Sequence, residues 1–132
     1  MTLIYHNPKC STSRNVLAAI RASGTEPDIV EYLTAGWTRA QLQLLFAAAG
    51  LSPREALRTR APEAADLRDA DDSAILDAMV REPVLVERPF VASRRGVRLC
   101  RPAEHVLGLL SSPLPAGFTK EDGKPLAGKE GA

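Results

Sequence analysis

The chain has only two cysteines, Cys10 and Cys100, and nothing else in it resembles a disulfide-stapled secreted scaffold. A cystine framework is therefore excluded, and a reducing cytoplasm is the expected setting. Two histidines and two cysteines at these spacings make no metal-ligand set. No apolar stretch approaches the length that spans a bilayer. The start of the chain lacks the basic segment and long apolar core of a signal peptide. Net charge is only +1, which gives no reason to expect nucleic acid or a membrane as a partner. Lysine is scarce: Lys9, Lys120, Lys124 and Lys129 are the only ones among 17 basic residues, and the rest are arginine. Guanidinium groups suit forked contacts with oxyanions. There is no internal repeat.

What is there is ordinary for one globular domain: 132 residues, 45% hydrophobic and 25% charged. The informative stretch is Tyr5-His6-Asn7-Pro8-Lys9-Cys10-Ser11-Thr12-Ser13-Arg14-Asn15. Apolar Leu3 and Ile4 precede it, and Val16, Leu17 and Ile20 follow with helical spacing. This pattern sets Cys10 where a strand turns into a helix, near unpaired backbone N–H groups and the positive end of the helix dipole. A thiol there ionises more readily than a free cysteine, and the thiolate is the reactive form. His6, Lys9 and Arg14 add positive charge nearby in sequence. Cys10 reads as a nucleophile, and Cys100, in an apolar strand, as packing.

The pattern predicts a strand over 2–6, a helix over 11–23 stopped by Gly24, and a second strand through Ile29, Val30 and Tyr32. Such a βαβ unit implies parallel strands. Thr38-Arg39-Ala40-Gln41 fits a capping box, with Gly50 as the stop, and Ser52-Pro53-Arg54-Glu55 repeats the signal. Another helix is expected from about Asp72, a short strand at Val84–Val86, and a hairpin of Phe90–Ala92 with Val97–Cys100. Pro102 should open a last helix carrying Val106, Leu107 and Leu110. The expected organisation is one domain over 1–115 with a helical insert at about 38–81, then a loosely attached tail over 116–132. Strand and helix order match a thioredoxin-like α/β fold, a mixed sheet flanked by helices. In that fold Pro89 falls where a cis proline often faces the reactive cysteine.

His6-Asn7-Pro8-x-Cys10-x-x-Ser13-Arg14-Asn15, Arg88-Pro89 and Arg98-Leu99-Cys100-Arg101-Pro102 resemble the glutaredoxin-dependent arsenate reductases of the thioredoxin-like superfamily. Gly24-Thr25-Glu26-Pro27 and Phe118-Thr119-Lys120-Glu121-Asp122-Gly123 match as well. The resemblance implies Cys10 as the nucleophile that attacks arsenate, with His6 helping to ionise it. Arg58, Arg88 and Arg101 align with the arginines that surround the oxyanion. Arg60 is an alternative to Arg58, which aligns without a gap. Asn7, Ser13, Arg14 and Pro89 take supporting roles. Arg21, Arg39, Arg54, Arg68, Arg81 and Arg94 are expected to be solvated surface groups.

The residue three after Cys10 is Ser13, so there is no Cys-x-x-Cys pair. One cysteine cannot supply the two electrons catalytically, and the resemblance names glutathione, as co-substrate, and glutaredoxin. No bound cofactor is expected, and a monomer is. The competing functions are a glutaredoxin-like thiol oxidoreductase, which needs no arginine cluster, and a non-enzymatic redox-sensing or binding relative. A tyrosine-phosphatase-like loop needs a wider gap between cysteine and arginine than Cys10 to Arg14 leaves. The single-cysteine scheme predicts that Cys10→Ser abolishes arsenate turnover while Cys100→Ser largely keeps it; equal loss in both would contradict the scheme.

Overall fold

A computed structural model describes residues 1–126, and the chain forms two compact units. The first comprises Met1–Glu31 and the chain from Arg88 onward; the second is Tyr32–Glu87.

In the first unit, β1 (Leu3–His6), α1 (Ser11–Ala22) and β2 (Asp28–Glu31) form the expected βαβ unit, with β1 and β2 parallel. β3 (Phe90–Ser93) and β4 (Gly96–Leu99) are the expected hairpin. β3 runs antiparallel to β1, giving a mixed four-stranded sheet of order β2-β1-β3-β4. This is a thioredoxin-like α/β arrangement. Helix α1 keeps Val16, Leu17, Ala19 and Ile20 on its buried face. They share a core with Ile4, Val91, Cys100 and Val106, the last from a 3-10 segment over Ala103–Leu109. Both Arg88–Pro89 and Arg101–Pro102 are cis.

Beyond that segment the chain returns to α1. Lys120 N–H donates to the Lys124 carbonyl at 2.8 Å, closing a turn, and Leu126 is fully buried in the core. The rest of the expected tail, 127–132, lies outside the described residues.

In the second unit, α2 (Tyr32–Ala35), α3 (Arg39–Ala49) and α4 (Asp72–Arg81) carry the apolar side chains Leu42, Phe46, Ile75 and Met79 inward. The capping box at Thr38 forms in both directions, and Gly50 ends α3 with φ 72°, a left-handed turn that favours glycine. Asp71 caps α4.

Several local expectations fail. The second strand stops at Glu31, because Tyr32 is buried against Trp37, ring centroids 5.4 Å apart, and begins α2. The Ser52/Glu55 box forms, with Glu55 N–H donating to Ser52 Oγ at 3.1 Å, yet no helix grows from it. Leu57 pairs instead with Val86, and Arg58 N–H donates to the Leu85 carbonyl at 2.8 Å. An isolated helical turn is too costly to compete with that bridge. Only Val86 of the expected Val84–Val86 strand is in a bridge, since Pro83–Leu85 is a 3-10 turn. The last helix is 3-10 and ends before Leu110; Gly108 lowers its α propensity.

Three arginines expected to be merely solvated also have partners. Arg21 pairs with Glu26 and Arg39 with Asp77, while Arg54 donates to the Leu67 and Ala70 carbonyls. Among the described residues no helix is long and apolar enough to cross a membrane.

Removing the Thr38 cap should cost about 1 kcal/mol, whereas Leu42→Ala, at a fully buried position, should cost about 2–5 kcal/mol. Urea unfolding of the two variants measures both, and a Thr38→Ala loss as large as that of Leu42→Ala would contradict this ranking.

Candidate active site

Cys10 is the N-cap of α1, extended at φ −102° and ψ 121°, and its sulfur-bearing residue is only 7% exposed. Its own N–H donates to the Asn7 carbonyl at 3.0 Å, and its carbonyl accepts from Arg14 N–H at 3.0 Å, the first bond of the helix. A loop held at both ends thus fixes the thiol at the helix start.

Burial alone would push the Cys10 thiol up; it is the largest single influence. It is outweighed. The Ser13 backbone N–H in the first turn of α1, the Arg88 charge, and side-chain bonds from Arg88 and Arg101 all favour the thiolate, so its pKa lies below the usual 9.0. Arg101 Nη1 lies 3.7 Å from the sulfur and donates to the Arg88 carbonyl at 3.2 Å. Arg88 is itself buried, at 9% exposure, and precedes the cis Pro89, whose carbonyl accepts from Cys100 N–H at 2.8 Å. Segments far apart in sequence therefore converge on one sulfur.

The neighbours in sequence act differently. His6 Nδ1 lies 2.6 Å from Ser13 Oγ, both residues are buried, and Asn7 N–H donates to the same oxygen at 3.1 Å. Burial holds the His6 pKa below its ordinary value, Glu31 opposing and Arg21 and Arg14 adding. Burial thus disfavours the charged ring, and the contact of His6 in the structure is with Ser13. Asn7 Oδ1 accepts from Lys9 N–H at 2.9 Å, shaping the turn. Arg14 donates from Nη1 to the Pro8 carbonyl at 2.9 Å and from Nε and Nη2 to Glu121 at 2.7 and 3.0 Å. Glu121 is a partner that sequence reasoning missed, although its motif was visible.

Arg58 belongs to the second unit. Its Nε is buried without a hydrogen-bond partner among the described residues, whereas Arg60 is exposed. An unpartnered buried guanidinium N–H is costly unless something accepts from it. Cys100 is fully buried in the core, and burial pushes its thiol up to about 12. No group of three or more potential metal-ligating side chains gathers among the described residues.

The two thiols have opposite linkage to stability. The lowered Cys10 value adds stability that is present above pH 9.0 and is lost as pH falls through the folded value. The raised Cys100 value adds stability that holds below pH 9.0 and is lost as pH rises toward 12.

The profile of the ArsC family matches residues 5–109, a span that runs from the cysteine loop past Arg101. An arsenate reductase of Synechocystis sp. is 52% identical, the match covering 99% of this chain and 96% of that protein. The arsenate reductase of Escherichia coli is 43% identical across 97% of this chain and 94% of its own. Among solved structures, the arsenate reductase from Vibrio cholerae superposes with a TM-score of 0.77 at 35% identity, covering 83% of this chain and 97% of that one.

Alkylation of Cys10 by iodoacetamide, followed against pH, reads its thiolate fraction directly. Arg88→Ala should move that curve to higher pH, and Lys9→Ala, which removes no group that acts on the thiol, should leave it in place. The reverse pattern would mean that the local charges govern the thiol.

Proposed function

The chain belongs to the ArsC family, and on that premise we propose that it reduces arsenate to arsenite with the Cys10 thiolate as nucleophile. The observation that carries this reading is the convergence of Ser13 N–H, Arg88 and Arg101 on one buried sulfur at a helix start.

Arsenate is a tetrahedral dianion near neutral pH. Guanidinium groups stay charged at any working pH and donate paired hydrogen bonds to such oxygens. Arg88 and Arg101 hold the anion against the sulfur. Of Arg58 and Arg60, the family resemblance favours Arg58 as a further anion-binding arginine, and its Nε is buried without a partner among the described residues. Fixed positive charge is stabilising where negative charge accumulates during attack, and it needs no reorganisation at that moment.

The Cys10 thiolate displaces one arsenate oxygen, which leaves as water after protonation, and an S–As bond forms. Arsenic is still As(V) at this point. Glutathione then adds as a second thiol. As the Cys10–glutathione S–S bond forms, the electron pair of the S–As bond passes to arsenic, and arsenite leaves. Two thiols have been oxidised to one disulfide, and arsenic has gained two electrons. Glutaredoxin removes the glutathione by thiol–disulfide exchange and restores Cys10.

His6 has a positioning role in this scheme. It holds the Ser13 hydroxyl and so the first turn of α1, whose N–H faces the sulfur. Asn7 shapes the turn before the thiol, its Oδ1 accepting from Lys9 N–H, and Pro89 follows Arg88 directly. The place of action is the cytoplasm, where glutathione keeps thiols reduced.

Purified protein supplied with arsenate, glutathione, glutaredoxin and a regenerating system should release arsenite, and Arg88→Ala should lower kcat/KM about a hundredfold or more, the cost of losing a charged donor at a reacting oxyanion. Without glutaredoxin, mass spectrometry should find glutathione on Cys10. Disulfide reduction without any arsenite would shift the function to a general thiol oxidoreductase.

A further inference from the structure

The motif Phe118-Thr119-Lys120-Glu121-Asp122-Gly123 has no part in the chemistry above, yet its glutamate reaches the cysteine loop. Glu121 accepts from Arg14 Nε at 2.7 Å and from Arg14 Nη2 at 3.0 Å, a forked contact. Its own N–H donates to Asn15 Oδ1 at 2.9 Å, so backbone and side chain both dock on the first turns of α1. The turn that carries it is closed by Lys120 N–H to the Lys124 carbonyl and by a bridge between Thr119 and Pro125. Leu126, fully buried, anchors its far side.

With two of its nitrogens committed to Glu121, Arg14 turns Nη1 to the Pro8 carbonyl at 2.9 Å. Proline has no N–H, so the carbonyl is the one backbone group through which residue 8 can be tied. Pro8 lies between Asn7, held through Ser13, and Cys10, held through Asn7. The Arg14 and Glu121 side chains are 42% and 48% exposed, and an exposed pair of this kind contributes little stability by itself. Its consequence is geometric.

We propose that Glu121 is a positioning residue for the nucleophile: it orients Arg14, which in turn fixes the Pro8 carbonyl and the loop that presents Cys10. This rests on the assignment of Cys10 as nucleophile. It gives the turn over 119–125 a function in the reaction that is exerted through Arg14.

The test uses Glu121→Ala and Glu121→Gln in the full chain, with Lys120→Ala as control. Lys120 belongs to the same turn, but its ion pair goes to Glu104 and not to α1. Iodoacetamide alkylation of Cys10 against pH needs no arsenate, so it reads the loop even if arsenate is not the substrate. Removing a carboxylate charge alone would favour the thiolate and move the curve to lower pH. Loosening the loop weakens the sulfur's N–H and guanidinium contacts and moves it to higher pH.

The expected result is a shift to higher pH in both Glu121 variants, with none in Lys120→Ala. For arsenate, kcat should fall about tenfold and KM should change less than about threefold, as a displaced nucleophile requires. In an Arg14→Lys background, Glu121→Gln should add little further loss, because both act through one contact. Glu121→Gln keeps the shape of the side chain and serves if Glu121→Ala folds poorly. An unmoved curve, a curve moved to lower pH, or a kcat equal to wild type overturns the proposal. No arsenite from the wild type, with the curve still shifting upward in the Glu121 variants, would overturn the arsenate reading and leave the positioning role standing.

Discussion

Arg101 donates to the carbonyl of Arg88 while reaching toward the Cys10 sulfur, and Arg88 also bonds that sulfur. This interlocked pair is the condition for everything else at the site. Cys10 is nearly buried, and a buried thiol left to itself stays protonated and inert. Shielding from water and ionisation are therefore in conflict at Cys10, and the Ser13 N–H together with the two guanidinium groups resolves the conflict in favour of the thiolate. The same charges suit a tetrahedral oxyanion. In the proposed reaction one arrangement would serve both the nucleophile and the anion it attacks, so losing either arginine would harm both steps.

The fold makes that pair possible. β1 ends at His6 and delivers the cysteine loop, while β3 begins at Phe90, just past Arg88. Tyr5 and Phe90 are paired across the two strands, which brings the loop after β1 and the segment before β3 to one end of the sheet. β4 pairs Leu99 with Phe90, so Arg101 emerges at that same end. Antiparallel register, set over a few residues, converts separations of many tens of positions into side-by-side approach. The two cis prolines follow Arg88 and Arg101 directly.

Much of this was legible in the sequence where the signal is local. The opening βαβ unit, the Thr38 capping box with Gly50, and the hairpin over 90–100 all depend on residues within a few positions of each other. Expectations failed where a distant partner decides. Ser52 and Glu55 satisfy each other as a helix start does, but Val86 captures Leu57 before a helix can grow. Arg39 and Arg54 do lie at the surface as expected, but the partners they bond there, Asp77 and the Leu67 and Ala70 carbonyls, come from elsewhere in the chain and have no local signal. Charge near Cys10 followed the same rule. His6 and Arg14 are close in sequence, yet burial disfavours the charged form of the ring, and the guanidinium is committed to Glu121 and Pro8. The charges that govern the sulfur come from Arg88 and Arg101. A motif locates a nucleophile, but its electrostatics belong to the tertiary structure.

Cys100 completes the logic from the opposite side. It is one residue from Arg101, so a pairing with Cys10 is an obvious thought. Its surroundings forbid a resolving role: it is fully buried among apolar side chains, and burial raises its thiol to about 12. At neutral pH it is a thiol, not a thiolate, and a protonated sulfur neither attacks a disulfide nor adds to arsenic at a useful rate. The chain therefore holds one reactive sulfur and one inert one, and the electron pair that arsenic requires must be completed by a thiol from outside. The need for an outside thiol, proposed above to be glutathione, follows from where the second cysteine is packed as much as from the serine at position 13.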